Sequence, residues 1–329
     1  MSIRPAIYTS ACSACNFNSS VAGWLSDIAD YNGQNVYTGT PWSTCTSCEV
    51  WGSGVWNFWQ VSSTGAISGI SGNVDLDGYN GTLGGLVSTA VATANHSWYL
   101  RNSDTAGGAD IALSYGNPGD IPLGGDWTGK GYMSIGVYRP STTTFYLKNS
   151  NTSGGADIVC NLGNVGDVPI VGDWTGKGYM SIGVYRPSTA TFYLRNSNTS
   201  GGADITVAFG NPNDVPVVGD WTGKGYASIG VYRPSNANFY LRNSNTSGGA
   251  DITFQYGNGG DVPLAGDWTG QGHTTIGVYR PGNDNFYLKN SNSGGGADIT
   301  FLYGNTGDKP TMADWDGNRT WTPGVYRNP

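Results

Sequence analysis

Charge is scarce in this chain. Only 12% of its 329 residues are Asp, Glu, Lys or Arg, and the net charge is −7. Glu49 is the single glutamate, so aspartate, a turn residue, carries the acidity. A helical bundle draws on Ala, Leu, Glu and Lys and is disfavoured. The absence of a basic stripe argues against nucleic acid as a partner. No run approaches the roughly 18 apolar residues that span a bilayer. The start, MSIRPAIYTSACSACNF, lacks the apolar core of a Sec signal. The chain is thus intracellular in origin, exported by another route, or trimmed; an extracellular, cell-surface or virion location is the expectation. Histidine is limited to His96 and His273. No nucleophile elbow, HExxH or phosphate loop appears. With Glu49 alone, the two unlike carboxyl groups of sugar hydrolysis have no obvious source. A non-enzymatic protein is expected.

Glycine and aromatics are abundant: 53 Gly, 12 Trp, 20 Tyr and 9 Phe. This is not the composition of a disordered acidic segment. The chain also repeats itself. Asp-Trp recurs at 126, 173, 220, 267 and 314, Tyr-Arg at 138, 185, 232, 279 and 326, and Ala-Asp-Ile around Asp110, Asp157, Asp204, Asp251 and Asp298. Each step is 47 residues, a length that divides 329 seven times. One unit holds four short β-branched or aromatic segments: Val168–Trp174, Ser181–Pro187, Thr191–Ser197 and Asp204–Gly210. Four strands in about 47 residues is the spacing of a β-propeller blade. The regular region opens with segments three and four (Trp98–Ser103, Asp110–Gly116). It closes with segments one and two (Pro310–Trp315, Pro323–Arg327). In a ring the last two strands complete the sheet begun by the first two, which hides the strand edges. The expectation is an all-β, five-bladed propeller over 97–329 with ring closure between its ends, plus a small Cys/Trp-rich N-terminal β domain over 1–96. A seven-bladed ring with degenerate N-terminal blades is the alternative.

The run GDWTGKGYMSIGVYRPSTATFYLRNS resembles the FG-GAP/VCBS-type repeat of bacterial surface and secreted proteins, over about residues 97–329. The resemblance implies propeller blades serving adhesion or glycan recognition. It also implies a calcium loop after the first strand, Asp-x-Asp-Gly-Asp-Gly, since a hard cation takes several oxygen ligands. Here Lys130, Lys177 and Lys224 stand in that loop, and an ammonium offers no lone pair. No calcium is expected in those three loops, where Lys is a candidate to replace the ion by neutralising the nearby Asp. The last loop keeps Asp314, Asp316 and Asn318 in register. Calcium and an Asx turn are its two readings.

The repeated residues also have two readings each. The tryptophans suit inter-blade packing or ligand stacking. Tyr138, Arg139, Tyr185, Arg186, Tyr232, Arg233, Tyr279, Arg280, Tyr326 and Arg327 are the candidate ligand-binding residues. The alternative for the arginines is a salt bridge to a repeated acid such as Asp167 or Asp157. Tyr132, Tyr179 and Tyr226 are replaced by His273 in the next unit, which disfavours a strict chemical role. The Asn-Thr-Ser sequons at Asn151, Asn198 and Asn245 are explained by a repeated turn.

Residues 1–96 hold five tryptophans and four of the five cysteines. Cys12, Cys15, Cys45 and Cys48 form two CxxC pairs, which suit one zinc ion or two disulfides. No other cofactor is required. Cys160 reads as a buried apolar residue. A faint blade echo runs through Trp56–Ser62, Asn73–Gly78 and Leu86–Ala92. The reading is a recognition or adhesion module. Its propeller binds glycans or another surface ligand between blades, and its N-terminus attaches to a larger assembly. The alternatives are a purely structural protein of a phage virion or surface fibre, and the binding domain of a hydrolase with catalysis in 1–96.

Overall fold

A computed structural model describes the backbone of residues 6–10, 25–29, 58–65 and 74–79 and all atoms of residues 97–327. The chain divides into two compact units, Met1–Ala94 and Asn95–Pro329. In the first, β1 (Ala6–Ser10), β2 (Leu25–Ala29), β3 (Phe58–Gly65) and β4 (Val74–Tyr79) form one sheet in chain order. The β1–β2 and β2–β3 pairs are parallel, and β3–β4 is antiparallel. This corrects the blade echo and the seven-bladed alternative built on it. A blade is an antiparallel meander joined by hairpins, whereas parallel neighbours need crossover connections.

The second unit opens with β5 (Ser97–Leu100) and β6 (Ile111–Ser114). Four antiparallel blades follow. The first comprises β7 (Ile121–Gly125), β8 (Ser134–Arg139), β9 (Thr144–Leu147) and β10 (Ile158–Asn161); the second β11 (Val168–Gly172), β12 (Ser181–Arg186), β13 (Thr191–Leu194) and β14 (Ile205–Ala208). The third comprises β15 (Val215–Gly219), β16 (Ser228–Arg233), β17 (Asn238–Leu241) and β18 (Ile252–Gln255); the fourth β19 (Val262–Gly266), β20 (Thr275–Arg280), β21 (Asn285–Leu288) and β22 (Ile299–Leu302). The fifth sheet is β23 (Lys309–Ala313), β24 (Thr322–Arg327), β5 and β6, so both ends of the regular region share one blade. The first strands of the blades neighbour one another in a closed circle, with β23 beside β7. The unit is the five-bladed propeller expected from the half-blade offset. Among the described residues there is no helix, so none is long and apolar enough to cross a membrane.

Packing follows from strand alternation. In β12, Ile182, Val184 and Tyr185 are fully buried. Each apolar cluster joins one blade to the second strand of the next: Trp127, Tyr138, Phe145 and Leu147 pack with Ile182 and Val184. The repeated tryptophans are 3–4% exposed and fill these seams. The indole of Trp174 donates to the Ile182 carbonyl at 3.2 Å. Gly172 lies flat on that ring, and a Cβ there would stand 2.8 Å from both Trp174 and Ala227. In the closing blade Trp98 stands where other blades have Phe145 or Phe192. It is fully buried, packs at a tilt 5.2 Å from Tyr326, and donates to the Tyr115 carbonyl. A larger aromatic reinforces the one sheet that no continuous chain holds together.

The closing blade also carries a defect. Asn151, Asn198, Asn245 and Asn292 donate their side-chain amides to the carbonyls of Met133, Met180, Ala227 and Thr274. One repeat earlier the residue is Asp104. A carboxylate cannot donate, and one Asp104 oxygen is buried without a partner. Burial pushes its pKa up to about 7. The folded state therefore favours the protonated acid. Its contribution to stability is full below the usual carboxylate range and is lost as pH rises through about 7. Asp104→Asn restores the donor. It should raise stability at pH 8 by about 1–3 kcal/mol and flatten the pH dependence between about 4 and 7. Thermal melts of both proteins across that range check this; a variant melting at or below the parent at pH 8 contradicts it.

Candidate functional site

Each second strand ends on Tyr-Arg, and consecutive residues on a strand point to opposite faces. Tyr138, Tyr185, Tyr232, Tyr279 and Tyr326 point inward and are at most 1% exposed. Their rings pack on the neighbouring strand, as Tyr185 does on Phe192 at 4.6 Å. Most of their hydroxyls bond a neighbouring turn: Tyr232 donates to the Asn258 carbonyl at 2.9 Å. The expectation that these tyrosines contact ligand is thereby corrected, because the strand pleat places them in the seams between blades.

The arginines face the other way and border solvent. Arg186 donates from Nε and Nη2 to the two oxygens of Asp167, both at 2.8 Å. The same bidentate pair joins Arg139 to Asp120, Arg233 to Asp214, Arg280 to Asp261 and Arg327 to Asp308. The acids are only 0–7% exposed. Asp167 also accepts the Asn164 backbone N–H at 2.8 Å. With its amide turned so that both ends are satisfied, the Asn164 side-chain oxygen accepts from Arg186 Nη2 at 2.9 Å. The hydrogen bonds to Asp167 hold the Arg186 guanidinium pKa above its ordinary value, against the opposing effect of burial. Of the two acids proposed for this arginine, Asp167 is the partner. Asp157 instead accepts the Asn149 N–H and shapes a turn.

Each guanidinium also lies over a third-strand tyrosine. The distances are 4.4–4.6 Å for Arg139 on Tyr146, Arg186 on Tyr193, Arg233 on Tyr240, Arg280 on Tyr287 and Arg327 on Tyr99. The pairs of Arg139 and Arg327 line grooves between blades. The groove at Arg139 has a volume of about 500 Å³ and is lined by Ser114–Asn117 of the preceding blade, Val137, Tyr146 and the wall 153–156. Its counterpart at Arg327 measures about 290 Å³ and includes Tyr99, Tyr303 and Asn305. The wall is pinned across the seam, where Ser153 Oγ accepts the Ser114 N–H at 3.0 Å. The turn forming it is folded from inside. Lys148 donates to the Gly155 carbonyl at 3.1 Å, and in the next blade Arg195 at that position donates to the carbonyls of Thr199, Ser200 and Gly202. Asn198 turns its amide inward to the Met180 carbonyl, so the repeated turn accounts for the sequon.

The other site candidates lie apart from the grooves. The aspartate loops sit at the opposite ends of the second strands. Asp126 accepts backbone N–H groups of Thr128, Gly129, Lys130 and Gly131 at 2.8–3.2 Å. Gly129 and Gly131 have φ of +74° and +83°, a left-handed backbone suited to glycine. Lys130 Nζ donates to the Asn149 carbonyl, not to Asp126. The idea that lysine replaces the ion is corrected, because backbone N–H groups compensate the carboxylate. In the last loop Asp314 is 5% exposed and accepts from the N–H of Gly317 and Arg319 at 2.8 and 2.9 Å. Burial raises its pKa, partly opposed by these bonds. Asn318 points its amide N–H at Asp316, and its oxygen accepts from Thr320. Asp314, Asp316 and Asn318 thus form an Asx-turn network rather than a converging oxygen cage, and the donor set does not fit calcium. Cys12, Cys15, Cys45 and Cys48 lie outside the described residues. Cys160 is fully buried, which pushes its thiol pKa up to about 11. Tyr132 donates to the Asn149 carbonyl, while His273 in that position is half-buried.

Sequence reasoning missed the third-strand tyrosines and the Asn-x-x-Asp turns. Both recur every 47 residues, so the repeat itself carried the signal.

No protein-family model and no curated protein matches the chain. Solved structures similar to it include an Agrocybe aegerita lectin described for specific recognition of non-reducing terminal N-acetylglucosamine (16% identity, TM-score 0.37, covering 70% of this chain and 71% of that one). BBS1N in complex with ARL6DN is another (10%, 0.36, 66% and 66%). A third is the Photorhabdus luminescens Tc holotoxin pore (14%, 0.36), where the match covers 70% of this chain but 12% of that one.

Two outcomes follow. Asp167→Asn removes the carboxylate that takes two hydrogen bonds from Arg186, and should lower stability by about 1.5–3 kcal/mol in chemical denaturation. Adding calcium to EDTA-treated protein should leave the propeller's melting transition unmoved; an upward shift would restore the calcium reading of Asp314.

Proposed function

We propose that the propeller is a non-enzymatic recognition module that binds neutral, hydroxyl-rich ligands, glycans foremost, in the grooves between blades. The observation that carries this is the repeated arginine laid over a tyrosine with its charge cancelled by a buried aspartate. A free guanidinium would select anions. One already neutralised in bidentate fashion offers N–H edges without net charge. Around it stand a tyrosine edge, an apolar Val137 and a glycine-rich wall. That mixture suits a pyranose, which presents C–H faces and hydroxyls together. A volume of about 500 Å³ falls in the usual range of small-ligand sites. Several similar sites on one rigid ring gain by avidity on a glycan-covered surface.

The resemblance to FG-GAP/VCBS-type repeats supports the same reading, with an extracellular, cell-surface or virion location. The separate N-terminal unit, with its mixed sheet and two CxxC pairs, is proposed as the attachment region to a larger assembly. A glycan array and whole-cell binding with the full chain test the reading. Neutral glycans should be retained, and Tyr146→Ala should weaken retention several-fold. Failure to bind any glycan, cell or cell-wall polymer would falsify it.

A further inference from the structure

The repeats differ at one position, the residue after the fourth strand: Tyr115, Leu162, Phe209, Tyr256 and Tyr303. All five are 3–7% exposed. The hydroxyls of Tyr115, Tyr256 and Tyr303 are sealed from solvent and have no hydrogen-bond partner. Such a group costs free energy unless something supplies a bond. Burial pushes the Tyr256 and Tyr303 phenols up to about 12 and raises that of Tyr115 too, so all three remain protonated. Leu162 and Phe209 leave no such vacancy.

Tyr115 and Tyr303 line the grooves at Arg139 and Arg327. Around Tyr115 the charged groups are Asp120, Asp157 and Arg139. Asp120 and Arg139 are bound to each other, and Asp157 to the Asn149 N–H, so none of them bonds the hydroxyl. Contact between a guest in the groove and the phenol requires the lining to shift.

We propose that the five Arg–Tyr positions are not equivalent: those beside Tyr115, Tyr256 and Tyr303 are the ligand sites, each phenol donating to an acceptor oxygen of a neutral sugar, whereas those of the repeats with Leu162 and Phe209 serve packing alone. The repeat is thus fivefold in fold and threefold in binding. This inference rests on the groove reading above and adds the specificity-determining residue.

Native mass spectrometry of the full chain with a panel of methyl hexopyranosides and methyl N-acetylhexosaminides tests it. Saturation should occur at three sugars per chain. Tyr115→Phe, Tyr256→Phe and Tyr303→Phe should each weaken one site about tenfold and lower the count by one. Each variant should melt no lower than the parent, since the lost hydroxyl had no partner; this separates loss of binding from loss of fold. Five equivalent sites, or three sites indifferent to the Tyr→Phe changes, would overturn the inference and leave the groove reading standing. Binding of no member of the panel, or a sugar count that Arg139→Ala and Tyr146→Ala leave unchanged, would remove the groove reading and this inference with it.

Discussion

A single backbone hydrogen bond, repeated five times, fastens each blade to the next. Met180 donates to the Asp126 carbonyl, Ala227 to Asp173, Thr274 to Asp220 and Trp321 to Asp267. Met133 donates to Asp314, which closes the circle; all five lie at 2.6–2.8 Å. A ring closes only if its steps together complete a full turn, so one distorted joint must be made up by the others. The aspartate loops fix that joint. Their carboxylates bind their own backbone N–H groups and hold the donating and accepting segments in register. The tryptophan following each aspartate then fills the seam. The Asp-Trp pair so visible in the sequence joins the hinge to its packing.

This geometry accounts for the scarcity of charge. Ionic groups in the ring are repeated pieces of architecture. The buried carboxylates that clasp the arginines at one end of each blade take bidentate partners, an arrangement that offsets their desolvation. At the other end backbone N–H groups take that role. What reaches the groove surface is neutral and polar, and the candidate ligand chemistry follows from that neutrality.

Much of the fold was legible in the sequence. The 47-residue step gave the blade length, the short β-branched and aromatic segments gave four strands, and the half-blade offset gave the closure of β24 onto β5. Observed strands are shorter than the apolar segments, because Trp174 and Asp204 belong to turns that flank them. The site was only half legible. Tyr-Arg stood out as a motif, yet a dipeptide does not say which member faces outward. The pleat sends Tyr185 into the core and Arg186 to the groove. The N-terminal echo misled for a related reason. Aromatic segments of blade-like length also make a mixed sheet, and pairing direction depends on the connections, which apolar periodicity does not encode.

The sequence by itself determined the repeat, the number of blades and the chemical equivalence of their parts, since all of these are written in periodic spacing. Only the tertiary structure decided which equivalent residues meet. Asp167, not Asp157, lies within reach of Arg186. Asp104 lands where a donor is needed. Tyr115 lines a groove assembled from two neighbouring blades. These are relations between residues on different strands and turns, fixed by the way strands and blades pack, and no local pattern in a sequence carries that packing.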